Sequence, residues 1–333
     1  MKKRFSLINT ALFLVMSLSF AAALTRSPEA APETHAVRGV FNRIETIEAE
    51  EIEEAGKSGF FRIPLPDGIP EESIKVTEEP FNKKLIIEIQ GVDDVFFKNN
   101  AFSGDISGIA DVKYGYSGGV STVELDTEEV SVYESEFTGD SFYIRVNDIH
   151  DVYEKVIAID AGHCGEDTGS VVYGIEEKKI TCSVAEKLKD KLSSENYYVI
   201  LTASEEENRS EEERAEIVDS CRADLLITVH TGADPDTRVT NGVEAGCSNG
   251  LRDLCKQITR RISKACSEKD LGIKDVRYPG VTKFTKVPFV SLKLGYITNR
   301  NEAEKMNGGD YQEEAAEAIK EAVTEWFDAE KNG

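Results

Sequence analysis

The sequence predicts a small all-β domain followed by an α/β domain whose sheet is mainly parallel and flanked by helices. Three observations predict it. Residues 59–146 alternate β-branched or aromatic side chains with polar ones, between Gly, Asn and Asp turns, the pattern of antiparallel strands with one wet face. From Val156 onward, apolar strand-like runs alternate with helical patterns, as a parallel sheet with crossover helices requires. The 333 residues suffice for two cores after a leader is set aside.

The leader comes first. Lys2-Lys3-Arg4 is a basic start, Leu7 to Phe20 is mostly apolar, and Ala21-Ala22-Ala23 offers a small-residue cleavage site. Residues 1–24 therefore read as a secretory signal peptide. The alternative is an uncleaved anchor, because apolar character runs on to Leu24, near the length that spans a bilayer. Membrane is a partner only in that case, and the rest of the chain is expected outside the cytoplasm, secreted or wall-associated. Residues 25–57 read as a linker, rich in Pro, Ala and Glu at first and then in acids alternating with Ile. A formal net charge of −23 argues against nucleic acid and anionic surfaces as partners, since the protein's own field repels phosphate.

The β domain is expected over residues 58–150. Its strands are read at Phe60–Leu65, Leu85–Ile89, Val120–Leu125, Val130–Tyr133 and Phe142–Val146, forming a small sandwich. No cysteine lies there, and no constellation of His or paired acids that would do chemistry, so a binding or spacer role is expected. In strand spacing and position the region weakly resembles the AMIN domain, a β module that accompanies cell-wall amidases and targets them to peptidoglycan.

The α/β domain is expected over residues 151–333. Val156 to Ile159 is a buried strand that stops at Asp160-Ala161-Gly162-His163. Val199–Thr202 is the next strand and Ser210–Cys221 a helix, opened by Ser210 and Glu213 in the form of a capping box. Leu225–Val229 is a strand ending in His230, Gly242–Ala245 another, Leu251–Cys266 a helix, Pro288–Leu294 a strand and Tyr311–Phe327 a helix. All six cysteines fall here, and several occupy apolar helical positions. Buried thiols acting as small hydrophobes are the preferred reading, with one or two bridges as the alternative in an exported chain.

Two strands thus end in histidine, in a chain with four histidines in all. Ligands bind beyond the carboxyl ends of strands in open α/β sheets. Two neutral imidazoles there, with a carboxylate and an open position, are what a zinc site needs. Glu176 and Glu177 open the helix that follows His163, although the helix dipole alone favours an acid at that place.

Residues from about Val156 to Phe327 resemble the Amidase_3 family of zinc-dependent N-acetylmuramoyl-L-alanine amidases. The resemblance is carried by Asp160-Ala161-Gly162-His163-Cys164-Gly165, by Asp167-Thr168-Gly169 before Gly174-Ile175-Glu176-Glu177-Lys178, and by Ser210-Glu211-Glu212-Glu213-Arg214. It continues through Ala223-Asp224-Leu225-Leu226-Ile227-Thr228-Val229-His230 and Gly242-Val243-Glu244. It implies a zinc-hydrolase-like fold, His163, Glu177 and His230 as zinc ligands, and peptidoglycan as the partner.

The closing strand departs from the family. Its Val-Glu-x-Gly-Phe-x-x-Asn motif, which carries the catalytic glutamate, is here Leu292-Lys293-Leu294-Gly295-Tyr296-Ile297-Thr298-Asn299. Lys293 stands where the general base is expected. Ala203 replaces an Arg after a strand end, Thr231-Gly232 replaces Ala-Asn after the second histidine, and Cys164 replaces a glycine. The base matters because a carboxylate takes the attacking water's proton and passes it to the leaving amine, a contribution of about 10²–10⁴-fold. A lysine ammonium cannot accept a proton. Lys293 therefore acts in a neutral form, stabilises charge, or pairs with Glu244 or Glu177, and Glu244 is a weak candidate for a catalytic role. The expected function is an exported zinc amidase that hydrolyses the amide between N-acetylmuramic acid and L-alanine. The alternatives are a catalytically impaired wall-binding or regulatory protein on the same scaffold and, behind both, a metallopeptidase acting on sugar-free peptides.

Overall fold

The computed structural model describes residues 57–274 and 280–331, so the expected leader and nearly all of the expected linker lie outside the described residues. The chain divides into two compact units between Asp148 and Ile149, two residues before the expected boundary.

The first unit is antiparallel throughout. Strands β1 (Phe61–Pro64), β2 (Ile74–Glu79), β3 (Lys84–Gln90), β4 (Ser103–Gly104), β5 (Ile109–Ser117), β6 (Val120–Thr127), β7 (Ser131–Phe137) and β8 (Ser141–Asp148) are joined by turns and one short helix, α1 (Asp94–Asn99). They form two four-stranded sheets, ordered β4-β1-β8-β7 and β2-β3-β6-β5. One core serves both, with Phe61, Ile63 and Ile144 from the first sheet and Leu85, Ile87, Ile89, Val123 and Leu125 from the second. Strand alternation puts every second residue inward, and Leu85, Ile87 and Ile89 show that period of two. The sequence reading omits the two-residue β4 and, of the longer strands, β2 and β5. Both are sheet edges, wetter than the strands they flank, and their inward alternation is diluted by acids, Lys and Gly.

The second unit begins with α2 (Ile149–Val152) and β9 (Lys155–Ala161), followed by a small hairpin of β10 (Val171–Val172) and β11 (Ile175–Glu176). Then come α3 (Glu177–Leu192), β12 (Tyr197–Leu201), α4 (Glu211–Ser220), β13 (Leu225–Gly232), β14 (Val243–Cys247), α5 (Arg252–Ala265), β15 (Asp270–Ile273), β16 (Phe289–Tyr296), α6 (Arg300–Met306) and α7 (Gly309–Lys331). The six-stranded sheet has the order β12-β9-β13-β16-β14-β15, and every pairing is parallel except β14 against β16. Ile157, Ile159, Ile227, Val229, Leu292 and Leu294 are fully buried at its centre, and α3, α5 and α7 supply Leu188, Ile258 and Ile319. The all-apolar strands follow from burial on both faces.

The expected capping box is present: Ser210 accepts from the Glu213 N–H, and Glu213 accepts from the Ser210 N–H. All six cysteines are free thiols, five of them buried. Burial pushes Cys182, Cys221 and Cys266 up to about 12, which keeps them protonated and inert.

Candidate metal centre

Local sequence explains how three potential ligands meet. Strand β9 ends at Ala161, and His163 then takes φ of 71°, a left-handed turn that carries its ring back over the strand end. Glu177 is the first residue of α3, and His230 lies in β13, which pairs with β9. Neighbouring parallel strands and the helix start thereby open onto one place. Two glycines let the imidazoles come close. A Cβ on Gly162 would lie 2.3 Å from His230 Nδ1, and one on Gly169 would lie 2.4 Å from His163 Cδ2. Real Cβ atoms do not approach so near, so these positions demand glycine.

Ligand atoms of His163, Glu177 and His230 all lie within 4.8 Å of one another. His163 Nε2 is 3.4 Å from Glu177 Oε2, and His230 Nδ1 is 3.6 Å from Glu177 Oε1. Donors at zinc bond lengths around a tetrahedral ion sit roughly 3.3–3.5 Å apart, so two nitrogens and one oxygen are already at suitable separations. The His side chains are 26% and 28% exposed and Glu177 is 5% exposed. The imidazoles are thus reachable from solvent over a buried acid.

The surroundings orient the ligands as metal sites require. His163 Nδ1 is 2.7 Å from Asp167 Oδ2, which leaves Nε2 for an ion. Glu177 accepts from the Thr231 N–H at 2.9 Å and the Ser170 N–H at 3.2 Å. Burial opposes the charge on His163, yet hydrogen bonds with Glu177 and Asp167 outweigh it and push the ring up to about 9. Burial likewise opposes the Glu177 carboxylate, but the two histidines and the Thr231 N–H hold it well below its ordinary range. The donor chemistry, the glycine cradle and the Asp167 contact all fit zinc.

Behind the site, Arg214 of α4 donates to Asp160 at 2.7 Å and to the Ala161 carbonyl at 3.0 Å, with both side chains buried. The Thr202 hydroxyl donates to the same carboxylate at 2.6 Å. This network fixes the end of β9, from which His163 turns. The sequence reading gives Asp160, Asp167 and Arg214 no individual role. All three stand in the motifs that carry the family resemblance, which was the signal that could have found them.

Lys293 is brought to the same face. In register it faces His230 across the β13–β16 pair and Glu244 across the β16–β14 pair. Residues directly opposite share a face, with strands about 4.8 Å apart, so His230, Lys293 and Glu244 form a row with the lysine in the middle. Its ammonium donates to Glu244 Oε1 at 2.9 Å, and the Tyr296 hydroxyl donates to Oε2 at 3.0 Å. Glu244 is 4% exposed. Burial and the Glu244 hydrogen bond together push Tyr296 up to about 12, so its hydroxyl stays a donor. Of the pairings expected for Lys293, the one with Glu244 is formed. Gly232 belongs to the same arrangement, because a Cβ there would meet the Tyr296 ring at 2.8 Å.

Comparison with known proteins gives a consistent result. Residues 157–325 match the family described as N-acetylmuramoyl-L-alanine amidase (Amidase_3). The chain is 31% identical over 180 residues to the protein YqiI of Bacillus subtilis (strain 168), covering 52% of this chain and 85% of that one. It is 29% identical over 182 residues to the N-acetylmuramoyl-L-alanine amidase LytC of the same organism, covering 53% of this chain but only 36% of LytC. Among solved structures, the N-acetylmuramoyl-L-alanine amidase from Clostridium difficile 630 superposes with a TM-score of 0.50 at 25% identity, over 52% of this chain and 97% of that one.

Proposed function

Because the chain belongs to the Amidase_3 family of cell-wall N-acetylmuramoyl-L-alanine amidases, we propose that it is an exported, zinc-dependent hydrolase of the amide between N-acetylmuramic acid and L-alanine of peptidoglycan. The observation that carries this reading is the cluster of His163, Glu177 and His230, whose donor atoms lie within 4.8 Å of one another. A site kept in this geometry, with its orienting acid and its glycines, is what a metal-binding function requires. Bound zinc supplies Lewis acidity toward the scissile carbonyl and an activated water. In this reading His163, Glu177 and His230 hold the ion and Asp167 fixes the His163 ring. The Lys293 ammonium, next to His230 in the row, stabilises negative charge that develops on the carbonyl oxygen. Glu244 holds that ammonium in place and, as the carboxylate of the row, would take the attacking water's proton on releasing a donor and return it to the leaving amine. The β unit is proposed to hold the protein on the wall.

A specific observation favours a second reading. Both Glu244 oxygens already accept hydrogen bonds, from Lys293 and Tyr296. A water could be activated there only by displacing one of these two donors from the buried carboxylate. Relative to the family motif, Lys293, the Tyr296 hydroxyl and the Gly232 that admits the Tyr296 ring are changed together. That coordination supports a site whose proton transfer has been switched off, leaving a wall-binding or regulatory protein. Release of stem peptides from purified peptidoglycan, by the zinc-loaded native chain and by Lys293→Glu, separates the two. Release by the native chain that a chelator stops supports the enzyme. Release by the variant alone supports the silent scaffold, and release by neither overturns the amidase reading.

A further inference from the structure

On the strand-end side of the metal centre, two connections meet at Tyr173 and a third joins them through Thr298. The first is its own hairpin. Tyr173 and Gly174 form a two-residue turn between the paired β10 and β11, and both have positive φ, 57° and 79°. Such turns favour Asn-Gly, and a tyrosine at the first position carries backbone strain. The second connection follows β16: the Tyr173 hydroxyl donates to the Thr298 carbonyl at 3.1 Å. The third follows β13, where the Asp234 N–H donates to the Thr298 hydroxyl at 3.1 Å. Each connection adjoins a residue of the site, namely Glu177, Lys293 or His230.

Two guanidinium groups lie over this tyrosine ring, Arg238 at 5.7 Å and Arg300 at 5.5 Å from its centroid. Arg300 also pairs with Glu304 at 2.9 Å. Arg238 has no carboxylate partner among the described residues, although the chain has 62 acids against 39 Lys and Arg; its contacts are with Tyr173. An exposed arginine held against a ring, with no carboxylate of its own, keeps its guanidinium fork open to an anionic group. Val171, two residues before Tyr173, and Val239, next to Arg238 in the chain, are 56% and 76% exposed, so the rim carries cationic and apolar side chains together.

We infer that Arg238 and Arg300, stacked on Tyr173, form a subsite that takes a carboxylate of the substrate's peptide arm, with Val171 and Val239 against its alkyl groups. This rests on the amidase reading above and adds which side of the scissile bond faces the rim. The chemistry selects the peptide. The lactyl carboxyl of the muramic acid is consumed in the amide, so the N-acetylated sugar is uncharged there, whereas the peptide keeps a terminal carboxylate. Planar guanidinium groups match a carboxylate better than an ammonium does.

The test is equilibrium binding of two N-acetylmuramoyl peptides to the zinc-loaded full chain in the cold, one with a free C-terminal carboxylate and one amidated. Chromatography confirms that the ligand stays intact. The native chain is expected to prefer the carboxylate by about 10-fold, the size of a charge-assisted hydrogen bond at an exposed site. Arg238→Gln and Arg300→Gln, both exposed positions, with the fold of each variant checked by circular dichroism, are each expected to reduce that preference without weakening binding of the amidated peptide. Equal binding of the two peptides by the native chain, or equal losses for both in the variants, overturns the subsite alone. Binding of neither peptide overturns the substrate reading and the subsite with it. Competition by inorganic phosphate that needs Arg238, with both peptides bound alike, assigns the rim to a phosphate ligand and overturns the proposal.

Discussion

At the residue scale, the charges around Glu177 and Glu244 make different demands. Glu177 is the one acid of the metal cluster, and its two oxygens already face both imidazoles and two backbone N–H groups. Glu177→Gln keeps the shape and removes the charge. Zinc affinity should fall by at least about 10-fold, as loss of a charged ligand costs more than loss of an orienting neighbour, and competition with a chromogenic chelator measures it. The metal-free protein should also show a pH signature. His163 is pushed up to about 9 from its ordinary 6.5. A group raised on folding stabilises fully below its unfolded pKa, and that contribution is lost as pH rises through the folded value. Urea midpoints in chelator should therefore decline between pH 6.5 and about 9, and His163→Asn should flatten this part of the curve. Lys293 poses the reverse question. Lys293→Met leaves Glu244 buried with a single partner, Tyr296, and breaking such a pair costs about 2–3 kcal/mol once its partial exposure is allowed for. An unchanged urea midpoint would show that the ion pair contributes nothing to stability.

At the scale of elements, the sequence was legible where one physical rule acted alone. The buried strands of the α/β unit read as apolar runs because both faces are covered, and Ser210 with Glu213 announced the start of α4. His163 and His230 were legible because each stands at the end of an apolar run, where a polar residue needs a reason. The edge strands β2 and β5 were not legible, since an edge exposed to water does not demand strict alternation. The hairpin at Tyr173 was hidden for a different reason: nothing local favours tyrosine at positive φ, so only the tertiary contacts of its ring and hydroxyl account for it. The row formed by His230, Lys293 and Glu244 depends on register between strands far apart in sequence, which one-dimensional patterns do not contain. The close packing around Tyr296 makes that register testable. Gly232→Ala places a methyl group against the Tyr296 ring at 2.8 Å. Overpacking of this kind costs about 1–3 kcal/mol, and pairing the change with Tyr296→Ala should recover part of the loss. A cycle in which the two effects simply add would remove the proposed coupling between these positions.

For the whole molecule, the decisive feature is that two separate cores lie on either side of Asp148. The first is built from residues between Phe61 and Val146, the second from residues between Ile157 and Phe327. Each therefore has its own source of hydrophobic stabilisation, which scales with the apolar area that it removes from water. The metal cluster, the Asp160–Arg214 network and the Glu244–Lys293 pair use residues of the second unit alone. Among the described residues no helix is long and apolar enough to cross a membrane. A fragment of residues 149–333 is thus expected to unfold cooperatively and to bind zinc as the full chain does. Thermal unfolding with and without zinc tests both expectations. A stabilisation by zinc of equal size in fragment and full chain would locate all metal-linked free energy in the second unit, because a ligand that binds only the folded state stabilises by its own binding free energy. A fragment that fails to fold, or folds without responding to zinc, would show that the second unit alone does not carry the metal centre.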